Sequence, residues 1–321
     1  MVRARRLIFN ALTFVPGVSL VPAVQRKLRT RTTGTGGTDS ARYCYSVWMR
    51  HLVRARDTGL NANPETVAEL GPGDSLGISL AALLSGATRC FAFDVVAHAS
   101  TARNLSIFDE LVSLFERRTA IPNDTEFPNV IPRLEDYRFP TDILTDDRLA
   151  ASLSADRLHR IRECLQKLES SDSLIRYRAP WFDAGVVEPE SVDVIFSQAV
   201  LEHVDALEMA YGAMSAWLKP HGYISHSIDL KSHGWAEEWN GHWTYTDFAW
   251  KLVRGRDSWL INREPQSTHT RLISEAGFKI VSCESIRADS NIALNQVARR
   301  FRNMSEEDLH TSEMFVQAVK S

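Results

Sequence analysis

The sequence is short of several things, and each shortage removes a class of protein. Its four cysteines (Cys44, Cys90, Cys164, Cys283) are far apart and form no C-x-x-C pair. Neither a disulfide framework nor a cysteine-based metal cluster is expected, and a reducing cytoplasm is the default compartment. Positive charge is not in excess. A formal net charge of −3 argues against a general nucleic-acid binder, whose domains are usually strongly basic. No internal repeat is present, and low complexity is confined to the threonine-glycine run from Thr32 to Thr38. Long clean apolar runs are also missing. The stretch from Leu7 to Val24 is broken by Asn10, Pro16, Gly17 and Pro22, so a continuous membrane-spanning helix is not expected. It lacks a clear small-residue cleavage site as well, which weakens a signal-peptide reading. At 321 residues and 44% hydrophobic, the chain can bury one large core, or one core plus a lid.

Acid is absent from positions 1–38, which carry seven basic residues: Arg3, Arg5, Arg6, Arg26, Lys27, Arg29 and Arg31. Basic flanks around apolar residues suit anionic lipid, so a peripheral membrane contact is one reading. The other is a helical arm packed on the domain or on a partner subunit of a homo-oligomer, and the weak amphipathic pattern favours it. Residues 32–38 read as a flexible hinge, since no strand precedes them. The expected organisation is an arm and hinge over 1–38, then one domain over 39–321.

The most informative segment runs from Thr66 to Ser75, TVAELGPGDS. A β-prone run ends in Glu69, then come the tight turn at Gly71 and Gly73 and a helix expected over Leu76–Ser85. Glycine lets a ligand approach bare backbone, having no Cβ and tolerating positive φ. A second strand, Arg89–Asp94, follows at βαβ distance and ends in a carboxylate. Asp94 stands roughly 20 residues beyond the glycines, where a ribose diol is usually held. The pattern is that of a nucleoside-cofactor site in an α/β sheet.

A third glycine is missing. The dinucleotide fingerprint needs one at position 76, where the chain has Leu76; Gly77 comes one place late. Glu69 and Asp74 also flank the turn with negative charge, which opposes a pyrophosphate and suits a cationic ligand. S-adenosylmethionine has no phosphate and carries a sulfonium and an ammonium. The charge pattern therefore favours the methyl donor.

Glu69-Leu70-Gly71-Pro72-Gly73 with Asp94 resembles motifs I and II of class I S-adenosylmethionine-dependent methyltransferases. Ser191–Val204, SVDVIFSQAVLEHV, is similar to that family's fourth strand and following helix, with its L-x-H-V motif. Trp217–Tyr223 resembles the L-K-P-G-G turn before the fifth strand, with His221 in place of the first glycine. The resemblance covers about residues 60–320. Arg300–Leu309 and Ile228–His233 further resemble a bacterial subgroup associated with glycan or natural-product biosynthesis. The family likeness implies a Rossmann-like α/β fold, a seven-stranded mostly parallel sheet with helices on both faces. It also implies that Glu69 faces the methionine ammonium and that an acidic residue after strand three meets adenine. That place falls near Trp181 and Phe182, with Asp183 just beyond; an aromatic there could stack on adenine instead. Gln198 and Ala199, after strand four, should line the transfer cleft.

Two segments exceed simple crossovers. Residues 119–173 contain prolines at 122, 128, 132 and 140 and a helix expected over 155–168; they are expected to cap the carboxyl edge of the sheet, where open α/β folds bind ligands. Residues 229–266 hold Trp235, Trp239, Trp243, Tyr245 and Trp250 among Glu237, Glu238, Asn240 and His242. Such faces suit a sugar ring, or else form the core of a lid or a subunit contact. Arg254, Arg256 and Arg263 could hold an acidic group on the acceptor, or solvate the lid.

Methyl transfer to a hydroxyl needs a base. Asp229 and His233, just past strand five, are the preferred pair. His203, in the L-x-H-V motif, is a catalytic candidate with an equally good structural reading. His226 lies inside strand five, where a buried, satisfied ring is the default. Asp229, His233, His242 and Glu238 match no strong metal-ligand spacing, so no metal is expected. The resulting expectation is a cytoplasmic enzyme that uses S-adenosylmethionine to O-methylate a small polar metabolite such as a sugar. A nicotinamide-dependent oxidoreductase or epimerase is the first alternative, yet Tyr211 is followed four places later by Ser215 and no Y-x-x-x-K is evident. A non-catalytic scaffold of the same fold is the second.

Overall fold

The structure, a computed structural model, describes residues 37–168, 173–181, 184–255 and 260–321. The arm reading of residues 1–36, together with Phe182, Asp183 and Arg256, lies outside the described residues. In chain order the elements are α1 (Ala41–Asp57), β1 (Thr66–Leu70), α2 (Gly77–Leu84), β2 (Arg89–Phe93), α3 (Thr101–Glu116), α4 (Asp146–Ser152), α5 (Ala155–Gln166), β3 (Ile175–Arg178), β4 (Val192–Gln198), α6 (Leu207–Trp217), β5 (Leu218–Asp229), α7 (Asp247–Arg254), α8 (Gln266–Glu275), β6 (Phe278–Arg287), α9 (Glu306–His310) and β7 (Thr311–Lys320). No described helix is long and apolar enough to cross a membrane.

The seven strands form one sheet in the order β3-β2-β1-β4-β5-β7-β6. β1 to β5 pair in parallel, and β7 runs antiparallel between β5 and β6. Buried runs such as Val194-Ile195-Phe196 explain the central strands, since a sheet covered on both faces needs apolar side chains on both. One apolar layer joins α1, α2 and α3 to the sheet; the other joins α6 and α8 to its opposite face.

Helix α1 begins at Ser40, whose hydroxyl accepts from the Tyr43 N–H. Its fully buried Trp48 donates to the Ser85 hydroxyl at 2.8 Å. Of the residues read as hinge from sequence, Thr38 is tied to the loop after β1, and the Gly37 carbonyl accepts from the Ser40 N–H at 3.0 Å. The Asp74 N–H donates to the Thr38 hydroxyl at 3.0 Å, and Ser75 donates to the Thr38 carbonyl. The anchored chain therefore extends upstream to the last two hinge residues.

Residues 119–168 do not cap the carboxyl edge as expected. Arg50, with a fully buried side chain, donates to the Val130 carbonyl at 2.6 Å, the Pro122 carbonyl at 3.0 Å and Asp124 at 2.8 Å. Arg148 and Arg157 grip the carbonyls of Ser85, Leu83 and Ala87. Those carbonyls end α2 and precede β2, so they lie at the amino edge. The segment is held on the outer side of the α1–α3 layer because buried guanidinium groups bond its carbonyls there.

Four rings are buried and held neutral: burial pushes His51 and His269 down to about 4 and His226 and His242 down to about 3. Three of them are fixed by hydroxyls, His51 by Ser225 at 2.7 Å, His226 by Ser197 at 2.8 Å and His269 by Tyr211 at 2.9 Å. The unfolded chain protonates such rings near their ordinary value of 6.5 while the folded chain resists, so stability falls as pH drops through that interval. Glu69, Glu202 and the half-buried Glu284 act in the opposite sense above their ordinary 4.5, but they are three groups against four. The urea midpoint should fall between about pH 6.5 and 4.5. The fall should be smaller in His269→Gln, which can still bond Tyr211. A midpoint that rises on acidification would contradict this.

Candidate active site

The donor half of the site is built where β1 stops. Gly71 and Gly73 both have left-handed backbones, with φ of +68° and +70°. The Gly71 N–H donates to the Phe93 carbonyl at 2.7 Å, tying the turn to the end of β2. A Cβ at Gly71 would stand 2.4 Å from Val200 Cγ2, so the turn also passes against the chain leaving β4. Gly77 serves a different end: a Cβ there would lie 2.4 Å from the Cys44 sulfur. It permits the close approach of α2 to α1 rather than contacting a ligand.

Asp94 is 8% exposed and closes this turn from β2. Its Oδ2 accepts from the Gly73 N–H at 3.2 Å, and its Oδ1 from the N–H groups of Val95 and Val96 at 2.7 and 3.3 Å. A carboxylate has about four lone-pair sites, so three donors leave Oδ2 room for a hydroxyl. Glu69 is 1% exposed. Its Oε2 accepts from the Ser79 N–H at 3.0 Å and the Ser79 hydroxyl at 2.5 Å, which caps the first turn of α2. Its Oε1 is buried without a hydrogen-bond partner among the described residues. Burial pushes Glu69 up to about 8, although the Ser79 donors oppose the shift. The ammonium-facing role therefore rests on Oε1. A cation arriving there would offset the cost of burial, because an opposite charge favours the ionised form.

Trp181 follows β3 and donates its backbone N–H to the Asp94 carbonyl at 2.9 Å. Its half-buried ring packs 5.3 Å from Phe93 and 5.2 Å from Trp217, so part of its surface is spent on the core. Gln198 ends β4 and donates to the Ser227 hydroxyl at 3.1 Å, while its side chain also faces the His51 ring. Ala199 has φ of +54°, strained for a residue with a Cβ. Its N–H is held by the Ser227 carbonyl at 2.9 Å. Gly71, Gly73, Asp94, Gln198 and Ala199 thus converge on one edge of the sheet, with Oε1 of Glu69 as a buried acceptor behind the glycine turn. This edge offers a glycine turn, a carboxylate at Asp94 with an open lone-pair site and a buried unpaired oxygen on Glu69, and a nucleoside bearing a cationic amino-acid tail fits that set.

Asp229 and His233 leave β5 at the same edge. Asp229 Oδ2 lies 3.4 Å from His233 Nε2, and Oδ1 accepts from the Lys231 N–H at 2.8 Å. Burial alone would raise Asp229, yet the His233 hydrogen bond and the Lys231 charge bring it below the usual carboxylate value. The rings of His203 and His233 meet edge to face at 5.2 Å, so the three catalytic candidates form one cluster. His226 is the buried ring its strand position implies. Glu238 turns to Asn291 at 3.0 Å, and it does not join Asp229, His233 and His242 in a ligand set. A residue the sequence reading passed over stands in the cluster instead: Glu202, 2% exposed.

The tryptophan-rich segment is mostly core. Trp243 is fully buried against Val297, Phe301, Met304 and Leu309, and Trp250 packs with Val253, Leu260 and Ile261. Trp239 Nε1 donates to the Asp289 carbonyl at 2.8 Å. These rings are spent on packing the segment onto residues 289–309, which excludes Trp243 and Trp250 as open sugar platforms. Arg263 is an internal strut, bonded to the Tyr245 carbonyl at 2.8 Å and Asp247 at 2.7 Å and stacked on Trp250 and Phe301. Arg254 pairs with Asp205 at 2.6 Å. Neither is spent on an acceptor. The segment does sit at the carboxyl edge, since Asn262 donates to the carbonyls of Glu202 at 2.6 Å and of Leu201 at 2.8 Å.

Residues 41–283 match the family described as a methyltransferase domain. The chain belongs to that family, and it is an S-adenosylmethionine-dependent methyltransferase with a Rossmann-like fold. Among solved structures it is similar to an S-adenosylmethionine-dependent methyltransferase from Mesorhizobium loti, at 13% identity and a TM-score of 0.40, covering 80% of this chain and 91% of that one. It is also similar to phosphoethanolamine N-methyltransferase 2 of Haemonchus contortus in complex with S-adenosyl-L-methionine, at 15% identity and a TM-score of 0.43, covering 91% and 60%. A search of curated proteins finds no match.

Proposed function

We propose that the protein transfers the methyl group of S-adenosylmethionine to a hydroxyl of a small polar metabolite, a sugar or sugar-bearing biosynthetic intermediate being the class favoured. The carrying observation is the Asp229–His233 pair, 3.4 Å apart, beside the edge that holds Gly71, Gly73 and Asp94. A hydroxyl acceptor must lose its proton as the bond to carbon forms, and a histidine oriented by a carboxylate is suited to take it. The transfer itself is an in-line displacement, in which alignment supplies much of the rate. Residues 229–266 form the lid in this reading. The buried tryptophans lend the sugar no support, which leaves it on the subgroup likeness of Ile228–His233 and Arg300–Leu309. Glu69, Gly71, Gly73, Asp94, Trp181, Gln198 and Ala199 are assigned to the donor. Asp229, His233 and His203 are assigned to the acceptor side.

A screen with a radiolabelled methyl donor against hydroxylated metabolites tests this. The expected product carries a methyl ether and forms with wild-type protein. Label found only on amines, or transfer to none of the acceptors despite tight donor binding, would refute the reading.

A further inference from the structure

Glu202 lies in the turn from Leu201 to His203 that follows β4. Neither of its carboxylate oxygens has a hydrogen-bond partner among the described residues, although the residue is 2% exposed. A buried carboxylate is normally paired, hydrogen-bonded or bound to a metal. Burial holds Glu202 well above the usual carboxylate range and the nearby Asp229 adds to that, while the backbone N–H groups of Glu202 and Asp229 and the charge of Lys231 oppose the shift only in part. Lys231 is held by Asp229 at 3.1 Å and by Glu313. What does face Glu202 is a pair of imidazoles. One ligand atom each from Glu202, His203 and His233 all lie within 4.8 Å of one another, and Asp229 holds the His233 ring.

One carboxylate and two imidazoles on adjoining turns form a three-ligand donor set that leaves coordination positions open. Calcium and magnesium prefer more oxygen than this set offers, whereas imidazole suits zinc and its first-row neighbours. We propose that Glu202, His203 and His233 bind a divalent first-row transition-metal ion at the acceptor edge. The ion offsets the buried charge of Glu202, and Asp229 acts as the outer carboxylate that orients a ligating histidine. A metal ion lowers the proton affinity of a hydroxyl bound to it; with its two nitrogens taken by the ion and by Asp229, His233 in the loaded site is a ligand rather than the base, and the hydroxyl proton leaves to solvent. That use of the ion rests on the O-methylation reading above; binding of the ion does not.

The test uses the full chain, stripped with chelator and dialysed, and titrated with Zn²⁺ by calorimetry without donor or acceptor. One ion per chain is expected. Glu202→Gln and His233→Ala should each weaken binding at least tenfold, whereas His159→Ala, at an exposed ring on α5, should leave it unchanged. His233 is itself largely exposed, so its variant keeps the test decisive if Glu202→Gln fails to fold. Equal loss in all three variants, no stoichiometric binding, or unchanged binding in His233→Ala would overturn the site. S-adenosylhomocysteine is titrated into the same stripped samples. Donor binding without zinc binding removes the metal and leaves the methyltransferase reading intact, while zinc binding without transfer to any hydroxyl does the reverse.

Discussion

Replacing Gly71 by valine is expected to abolish S-adenosylhomocysteine binding and to lower stability by about 2–5 kcal/mol. Two effects add. The backbone at φ +68° costs a residue with a Cβ about 1–2 kcal/mol, and a β-branched one is least tolerant. The new Cβ would meet Val200 Cγ2 at 2.4 Å, an overpacking contact that costs about 1–3 kcal/mol more. Relief requires the turn to move away from Val200, which takes the Gly73 N–H away from Asp94 and dissolves the cradle. Urea unfolding and ligand calorimetry read the two consequences separately. Combining Gly71→Ala with Val200→Ala should restore part of the stability, because only the backbone strain then remains. A Gly71→Val protein with wild-type stability and donor affinity would show that the turn does not form the cradle.

Neutralising either member of the Asp229–His233 pair is expected to lower kcat by roughly 10²-fold or more, the range for loss of a positioned general base. Asp229→Asn and His233→Gln keep size while removing the charge relation. Donor affinity should stay within about twofold, since Asp94 and the glycine turn are intact in both; loss of rate without loss of ground-state binding marks an interaction made in the transition state. The double variant should cost little more than the worse single one, because the two groups act as a unit. Turnover at the wild-type level in both single variants would strip the pair of its assigned role.

The turn proposed to hold the donor is legible in the sequence because it is local. Glu69 lies on β1, and Gly71, Gly73 and Asp94 lie just past the ends of β1 and β2, neighbouring parallel strands paired in register with Leu70 opposite Phe93; spacing along the chain therefore translates directly into position. The acceptor half was less so. Glu202 precedes His203 in a one-turn 3₁₀ segment, too short to show a periodicity that says which residue points inward. The tryptophans were ambiguous for a different reason. Trp243 is buried by Val297 to Leu309, more than fifty residues downstream, and no local pattern announces that partner. The sequence reads residues 119–168 as a cap on the carboxyl edge, whereas Arg50, Arg148 and Arg157 hold them along the helix layer, and the burial of those guanidinium groups is a tertiary event. The prolines marked irregular chain but carried no information about which edge it covers.

The most direct test of the central claim is calorimetry of S-adenosylhomocysteine against the wild-type chain and Asp94→Ala, with NADH as the competing ligand. The account predicts one S-adenosylhomocysteine per wild-type chain and no NADH binding. It further predicts at least a tenfold loss in a folded Asp94→Ala protein, about 1.4 kcal/mol or more, consistent with removing a charge-assisted hydrogen-bond acceptor. Saturable NADH binding, or unchanged S-adenosylhomocysteine affinity in the folded variant, would contradict it.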